Sequence, residues 1–525
     1  MTSRARLSIV LCTLAALAAL ILAGCGSSSG GGGSGDPVAA APKDSSVFIE
    51  GSIRPSGDLK SNIEDLAKNA AGISDPGTLI VDRIDTALKQ DPESKDFTYE
   101  KDIEPWLGEK AGLYLSNYDG SDFKRAAGIL QTTDSGAAQD FIDKAAANST
   151  NKVRDASYEG VDYKVTDSDG TSVGIVDDFL VIGTNEDSFK AVVDASGGDS
   201  LDSSSAYKDA VSAVPDGSLA AVYVDIGALI KQAGASVDQQ IVRFYKALGY
   251  DFSTATAVAS LVPGSDQVEL DVATNATPNA PAGGDVKELL GSFPASSFLA
   301  VATPDVGKQL GRAIDGIDKV GFPPQVPPGA LKSTLARAGI DLDKIAASIG
   351  DVGLFAQGTS MQSLGGAVVI EATDEATATD TVKGIGTLLK RSNASGFTPV
   401  TGNAEGFAFR SPQLPKPLVV IAAGKRIGIG YGVVATQQAV SAAVSGETLD
   451  SNPTFQAAAD ALGSTGISGF VDPKPILQLA ETLGAGSDSG FQMARPYLDK
   501  LDFLAFGTGS EGDLVTQKVI LKLKD

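Results

Sequence analysis

The chain reads twice, and that constrains its fold more than any other feature. Gly112-Leu113-Tyr114 recurs as Gly353-Leu354-Phe355, and Thr133-Asp134 as Thr373-Asp374. Glu159-Gly160 with Tyr163 recurs as Glu405-Gly406 with Phe409, and Leu201-Asp202-Ser203 with Tyr207 as Leu449-Asp450-Ser451 with Phe455. Tyr223-Val224-Asp225 recurs as Phe470-Val471-Asp472. The matches keep their order, with offsets of about 240 to 250 residues. Such a period is far longer than a solenoid repeat and predicts two tandem homologous lobes. The Ala-, Asn-, Pro- and Gly-rich stretch Ala273–Gly284 reads as the linker between them. The expected organisation is a first lobe over 42–272, a linker over 273–285 and a second lobe over 286–525.

Each lobe alternates its signals. Ser46–Ile53 predicts a strand, followed by a helix with Leu59, Ile63 and Leu66 on one face. Ala111–Ser116 and Ala126–Thr132 predict a strand pair, and Asp134 occupies a helix N-cap position before the helix through Phe141. Tyr158–Thr166 and Thr171–Gly183 predict a second pair around the turn Asp167-Ser168-Asp169-Gly170. A helix with Phe189, Val192 and Val193 and the strand Leu219–Asp225 follow. Strand pairs joined by Asp-Gly turns imply an α+β class, with mainly antiparallel sheets and helices packed on one face. The repeated Asp134 and Asp374 read as caps rather than catalytic acids.

The N-terminus carries the address. Arg4 and Arg6 precede the apolar run Leu7–Gly24, which is signal-peptide anatomy over residues 1–24. Leu22-Ala23-Gly24-Cys25 resembles a bacterial lipobox, so Cys25 is the expected site of lipidation; an uncleaved membrane anchor is the alternative. Residues 25–41 then form the acylated cysteine and a Gly/Ser tether, ten residues of which reach about 18 Å r.m.s.. The expected location is the cell envelope, lipid-anchored on the outer face of the cytoplasmic membrane. Cys12 lies in the signal, so the mature body keeps no free thiol. Without residues 1–24 the chain holds 40 basic and 65 acidic side chains, a formal charge of −25. The deficit is uneven, with 20 basic and 42 acidic residues over 36–285 against 20 and 23 over 286–525. Such acidity argues against a nucleic-acid partner, which needs clustered Lys and Arg. Solvated acidic faces explain it, or an attraction of the first half for cations or a basic partner.

Histidine is absent from all 525 residues. That removes serine triads, Cys-His dyads and imidazole metal sites. Asp167-Ser168-Asp169-Gly170 lacks the ligands of a calcium loop and reads as a type I′ hairpin turn. Gly428-Ile429-Gly430-Tyr431-Gly432 fails the dinucleotide spacing and reads as close strand packing. No cofactor or metal is expected. Two features remain as a possible binding surface. Trp106 is the lone tryptophan, either a ligand anchor or the filling of a core edge. The segment beginning Phe322, Pro323, Pro324 has no counterpart in the first half, and suits a rigid polyproline loop or a spacer.

The Pro42-Lys-Asp-Ser-Ser opening, Asp102-Ile-Glu-Pro-Trp-Leu-Gly108 with Ala111-Gly-Leu113, and Glu159-Gly160 with Tyr163 together resemble a family of bacterial extracytoplasmic proteins. The family is known as domain of unknown function three-three-five-two. The resemblance implies a secreted or lipid-anchored location and brings no activity, substrate or catalytic residue. The expected function is non-enzymatic binding of a ligand or envelope partner. A carrier for a lipid or other apolar molecule is the alternative, and a carboxylate-based hydrolase a third reading. A large apolar cavity would favour the carrier, and close carboxylates with a raised pKa in a cleft the hydrolase.

Overall fold

Among the described residues, runs of alternating or continuous apolar side chains set ten strands in each half of the chain. The computed structural model describes residues 35–234, 238–276, 286–321, 326–337, 339–391, 396–411, 413–441 and 446–524. By its internal contacts the chain divides into two units. The first runs to Asp238 and adds Asp251–Ala276; the second takes Gln239–Tyr250 and Thr277–Asp525. The helix Gln239–Ala247 thus joins the second unit although it precedes the linker in sequence. It packs on the helix Val306–Val320, where a side chain at Gly316 would meet the Ala247 carbonyl at 2.9 Å.

The first unit contains β1 (Val47–Ser52), β2 (Leu107–Tyr118), β3 (Phe123–Thr132), β4 (Val153–Tyr158) and β5 (Val161–Thr166). β6 (Ser172–Val176), β7 (Phe179–Gly183), β8 (Ala220–Asp225), β9 (Thr256–Pro263) and β10 (Gln267–Thr274) complete it. They pair antiparallel in the order β4-β5-β6-β7-β3-β2-β1-β8-β9-β10. The second unit contains β11 (Ser297–Thr303), β12 (Ile349–Gln357), β13 (Gly365–Ala372), β14 (Phe397–Val400) and β15 (Glu405–Phe409). β16 (Leu418–Ala423), β17 (Arg426–Tyr431), β18 (Gly466–Val471), β19 (Leu501–Glu511) and β20 (Leu514–Leu523) follow. Their order is β14-β15-β16-β17-β13-β12-β11-β18-β19-β20. Each unit is α+β.

The ladders coincide residue for residue at their centres. Phe48 on β1 stands between Tyr114 and Tyr223, and Ala300 on β11 between Phe355 and Phe470. All four flanking rings are buried, and each anchors the packing of its own unit. One step along, Glu50 faces Gly112, and Ala302 faces Gly353. A side chain at either glycine would strike a neighbour, Pro37 at 2.8 Å or Phe293 at 2.6 Å, so both positions are kept bare by close approach.

Asp134 caps the helix Ser135–Asn148 by accepting the Ala137 N–H at 3.0 Å, and Asp374 accepts that of Thr377 at 2.7 Å. Asp225 and Asp472 cap in the same way, through Ala228 and Lys474.

Three local expectations need correction. Glu159 and Gly160 do not lie within a strand: with φ of 49° and 85° they turn β4 back on β5. Asp177, with φ of 50°, stands in the turn between β6 and β7 and splits Thr171–Gly183 in two. Asp167–Gly170 is not a two-residue type I′ turn, because only Gly170 has positive φ and its N–H closes on the Thr166 carbonyl at 2.8 Å.

Helices also cover both faces of the first sheet rather than one. Leu130, Leu180 and Ile182 pack beneath Ser135–Asn148, while Gly174 and Gly183 lie against Phe189 of the helix Glu186–Ser196 on the opposite side. The unbroken apolar run Phe179–Ile182 is buried on both sides for that reason. Among the described residues, no helix is long and apolar enough to cross a membrane.

Candidate functional site

Among the described residues of the first unit, two hollows stand out, and each has a sequence origin. The first lies where the segment Phe97–Trp106 folds over the β3–β7 end of the sheet. Thr98 is extended, and Tyr99–Ile103 makes one wide helical turn that returns the chain to β2. Trp106, 3% exposed, donates its indole N–H to the Asp102 carbonyl at 2.7 Å. Phe141 packs against both Trp106 and Phe97, each with ring centroids 5.3 Å apart. Between this aromatic cap and Leu130, Val173, Leu180 and Ile182 on the sheet remains a cavity of about 160 Å³. Leu88, Ile103, Ile142 and Ala145 close its sides, so the wall is overwhelmingly apolar.

The cap is stapled in place by charge. The Asp102 carboxylate accepts the Thr98 N–H at 2.8 Å and pairs with Lys144, whose ammonium sits 4.4 Å from the Phe97 ring centroid. Burial works to raise the Asp102 pKa, but the Lys144 ammonium and the Thr98 N–H outweigh it and hold the group below the ordinary carboxylate range. At the rim, Glu93 accepts the Thr150 N–H at 2.9 Å, and Lys164 bridges Asp155 at 2.8 Å and Asp143 at 3.2 Å.

The second hollow, about 470 Å³, opens beside β1 and β8 and mixes polar and apolar lining. Its distinctive group is Glu50, which alternation puts on the same face as Phe48. The cross-strand neighbours of Glu50 are Gly112, over which Pro37 and the Phe48 ring close in, and Ala221, which lines the hollow. Lys110 donates to Glu50 at 3.3 Å and to Asp36 at 2.9 Å. The second Glu50 oxygen is buried and has no hydrogen-bond partner among the described residues. Burial first, then the nearby charge of Asp36, push the Glu50 carboxyl up to about 7 against the opposing pull of Lys110. For Lys110 burial acts downward, yet Glu50 and Asp36 together raise it above the ordinary lysine value. Burial likewise raises the phenols of Tyr207 and Tyr223, which wall the cleft.

A measurable pH dependence follows. A carboxyl raised from 4.5 in the unfolded chain to about 7 in the fold binds more protons when folded. Its contribution is complete below the lower value and is lost as pH rises through the upper one. The loss is on the order of 2–3 kcal/mol. Urea unfolding at pH 5 and pH 8 should show a drop in stability for the native chain that is clearly smaller in Glu50→Gln. Equal drops would mean that Glu50 does not titrate in this window.

Of the sequence candidates, Trp106 belongs to the wall of the apolar cavity and not to the exterior. Cys25, Phe322, Pro323 and Pro324 lie outside the described residues. Glu50 was not singled out from sequence; its signal was a carboxylate in phase with Phe48 inside an apolar strand. Among the described residues no group of three or more Asp, Glu, Cys or His side chains is placed to hold a metal ion.

The fold and its hollows define a class: a two-unit α+β protein whose first unit carries a mainly apolar hollow with a polar rim. The chain belongs to the family described as protein of unknown function DUF3352, whose model matches residues 82–506. No curated protein matches it. Among solved structures it is similar to one described as crystal form III of TP0453. That similarity has 12% identity and a TM-score of 0.26, over 49% of this chain and 86% of that one.

Proposed function

We propose that this is a lipid-anchored extracytoplasmic binding protein, without enzymatic activity, whose first unit receives an apolar group beneath Trp106. The cavity carries this reading. Apolar voids of about 150 Å³ in proteins stay dry and take up small hydrocarbons. A hollow of about 160 Å³ suits a single ring or the end of an acyl chain. This favours the carrier for a lipid or other apolar molecule over a purely surface-binding module.

Trp106 is the sole tryptophan and reports on its own cavity. Titration with bromine-labelled fatty acid should quench its fluorescence saturably. Ala145→Phe, which fills the space, should weaken that quenching at least tenfold while cooperative unfolding is retained. Absence of saturable quenching up to millimolar ligand would remove the reading.

Partner binding has its own observation. Val301, Leu354 and Ile429 are about 40% exposed, and with Val368 between Leu354 and Ile429 they form one cross-strand row on β11, β12, β13 and β17. Rows of this kind mark protein contacts when they are contiguous.

The hydrolase reading rests on Glu50 and Asp36. Glycosidase carboxyls stand about 5–9 Å apart across the scissile bond. Here the two carboxyls are bridged by one ammonium, that of Lys110, rather than held apart across a free space. We also read the two units as copies of one ancestral unit; their common strand order and the Gly112/Gly353 positions support it.

A further inference from the structure

We propose that the cleft around Glu50 is a second binding site, selective for a small organic cation whose ammonium or amidinium group is held by the Glu50 carboxylate. The argument begins with a comparison inside the molecule. Glu50 and Ala302 hold the same place in ladders of the same strand order, each facing a bare glycine. The second unit packs that place with alanine, 3% exposed. The fold therefore does not need an acid there. The Glu50 side chain keeps only 21% of its exposure, and a carboxylate so withdrawn from water is unfavourable unless it is fully paired. Glu50 is not: Lys110 reaches one oxygen and is shared with Asp36, while the other oxygen has no donor among the described residues.

The surroundings select the missing donor. The cleft, about 470 Å³, is the size of a small-molecule pocket. Tyr207 and Tyr223, with ring centroids 5.1 Å apart, supply aromatic walls that favour cations. Glu109 and Asp216 add negative charge to the lining, and Lys110 is its sole cation among the described residues, already engaged. The excess of 42 acidic over 20 basic residues across 36–285 raises the local concentration of cations. The described residues offer no cluster for a metal ion, which leaves an organic cation.

Glu50 must be ionised to hold the ligand charge. The charged groups acting on it are Asp36 from the N-terminal segment and Lys110 from β2, while Glu109 from β2, Tyr207 from the helix Ser205–Val211, Asp216 and Tyr223 from β8 line the same cleft. With the Glu50 carboxyl at about 7, binding should strengthen between pH 6 and pH 8.

The test is calorimetric titration of the full-length protein in detergent with benzamidine, n-butylammonium and spermidine, with glucose and butyrate as uncharged and anionic comparators. The expected result is saturable binding of at least one cation at pH 8, weakened severalfold and up to about tenfold at pH 6, and at least tenfold by Glu50→Gln. Glu50→Ala, which installs the second unit's own solution, provides a variant that the fold already accommodates. Binding of glucose or butyrate in preference to the cations would overturn the proposal. So would cation binding unchanged in both variants, or no binding of any cation. The Trp106 quenching assay reads the other cavity, so its outcome is independent of this one.

Discussion

Replacing Cys25 with serine should move the protein from the membrane fraction to the soluble fraction and abolish palmitate incorporation. The expectation rests on Leu22-Ala23-Gly24-Cys25, where small residues precede a thiol that follows an apolar run. Each buried acyl methylene stabilises membrane attachment by about 0.8 kcal/mol, and stable anchoring takes two signals. The described residues, which begin at 35, offer no substitute. The formal charge of the chain after residue 24 is −25, which anionic headgroups repel. Among the described residues no helix could span the bilayer. Release should therefore be nearly complete, with partition falling by several orders of magnitude. Fractionation and labelled-palmitate incorporation of the two forms measure it. A Cys25→Ser protein that still sediments with membranes would show that residues 7–24 themselves are the anchor.

The parts of this fold that were legible in sequence are those where chemistry and geometry meet in one residue. Tyr114, Tyr223, Phe355 and Phe470 stood out as recurring aromatics inside strands, and all are buried. Asp134 and Asp374 read correctly as caps because a carboxylate two or three residues before exposed N–H groups has few other uses. Turns were harder. Glu159 adopts a positive φ that glutamate seldom takes, and only Gly160 beside it hinted at the reversal. The second helical layer was masked because four apolar residues in a row, Phe179–Ile182, are compatible with either one or two buried faces.

The hollows were not legible, since a void is the space left between segments distant in sequence. Leu88, Trp106, Phe141 and Leu180 surround one cavity while coming from four separate segments of the chain. Glu50 was hidden for another reason. A glutamate in a strand ordinarily faces water, and only its phase with Phe48 and the alanine in the second unit mark it as different.

The largest change in stability should come from Trp106→Ala. The indole is buried, contacts Phe141 and holds the Asp102 carbonyl, so truncation removes both packing and a hydrogen bond. Large-to-small changes of this kind cost about 3–5 kcal/mol. That is a substantial part of a typical domain's 5–15 kcal/mol. For a unit of this size the melting temperature should fall on the order of 10 °C. Because the indole would leave a void continuous with the existing cavity, free indole should fit it and restore stability. With a dissociation constant of about 0.1 mM, millimolar indole would return about 1.4 kcal/mol through mass action. Calorimetric melting of Trp106→Ala with and without indole reads both effects, since the variant has no tryptophan fluorescence. Trp106→Phe, which keeps an aromatic ring against Phe141, should lose less and respond less to indole. A loss below 1 kcal/mol in Trp106→Ala would mean that the cap does not pack on the sheet as described. A full loss without indole rescue would mean that the enlarged space collapses, and the ligand-binding reading of this cavity would fall with it.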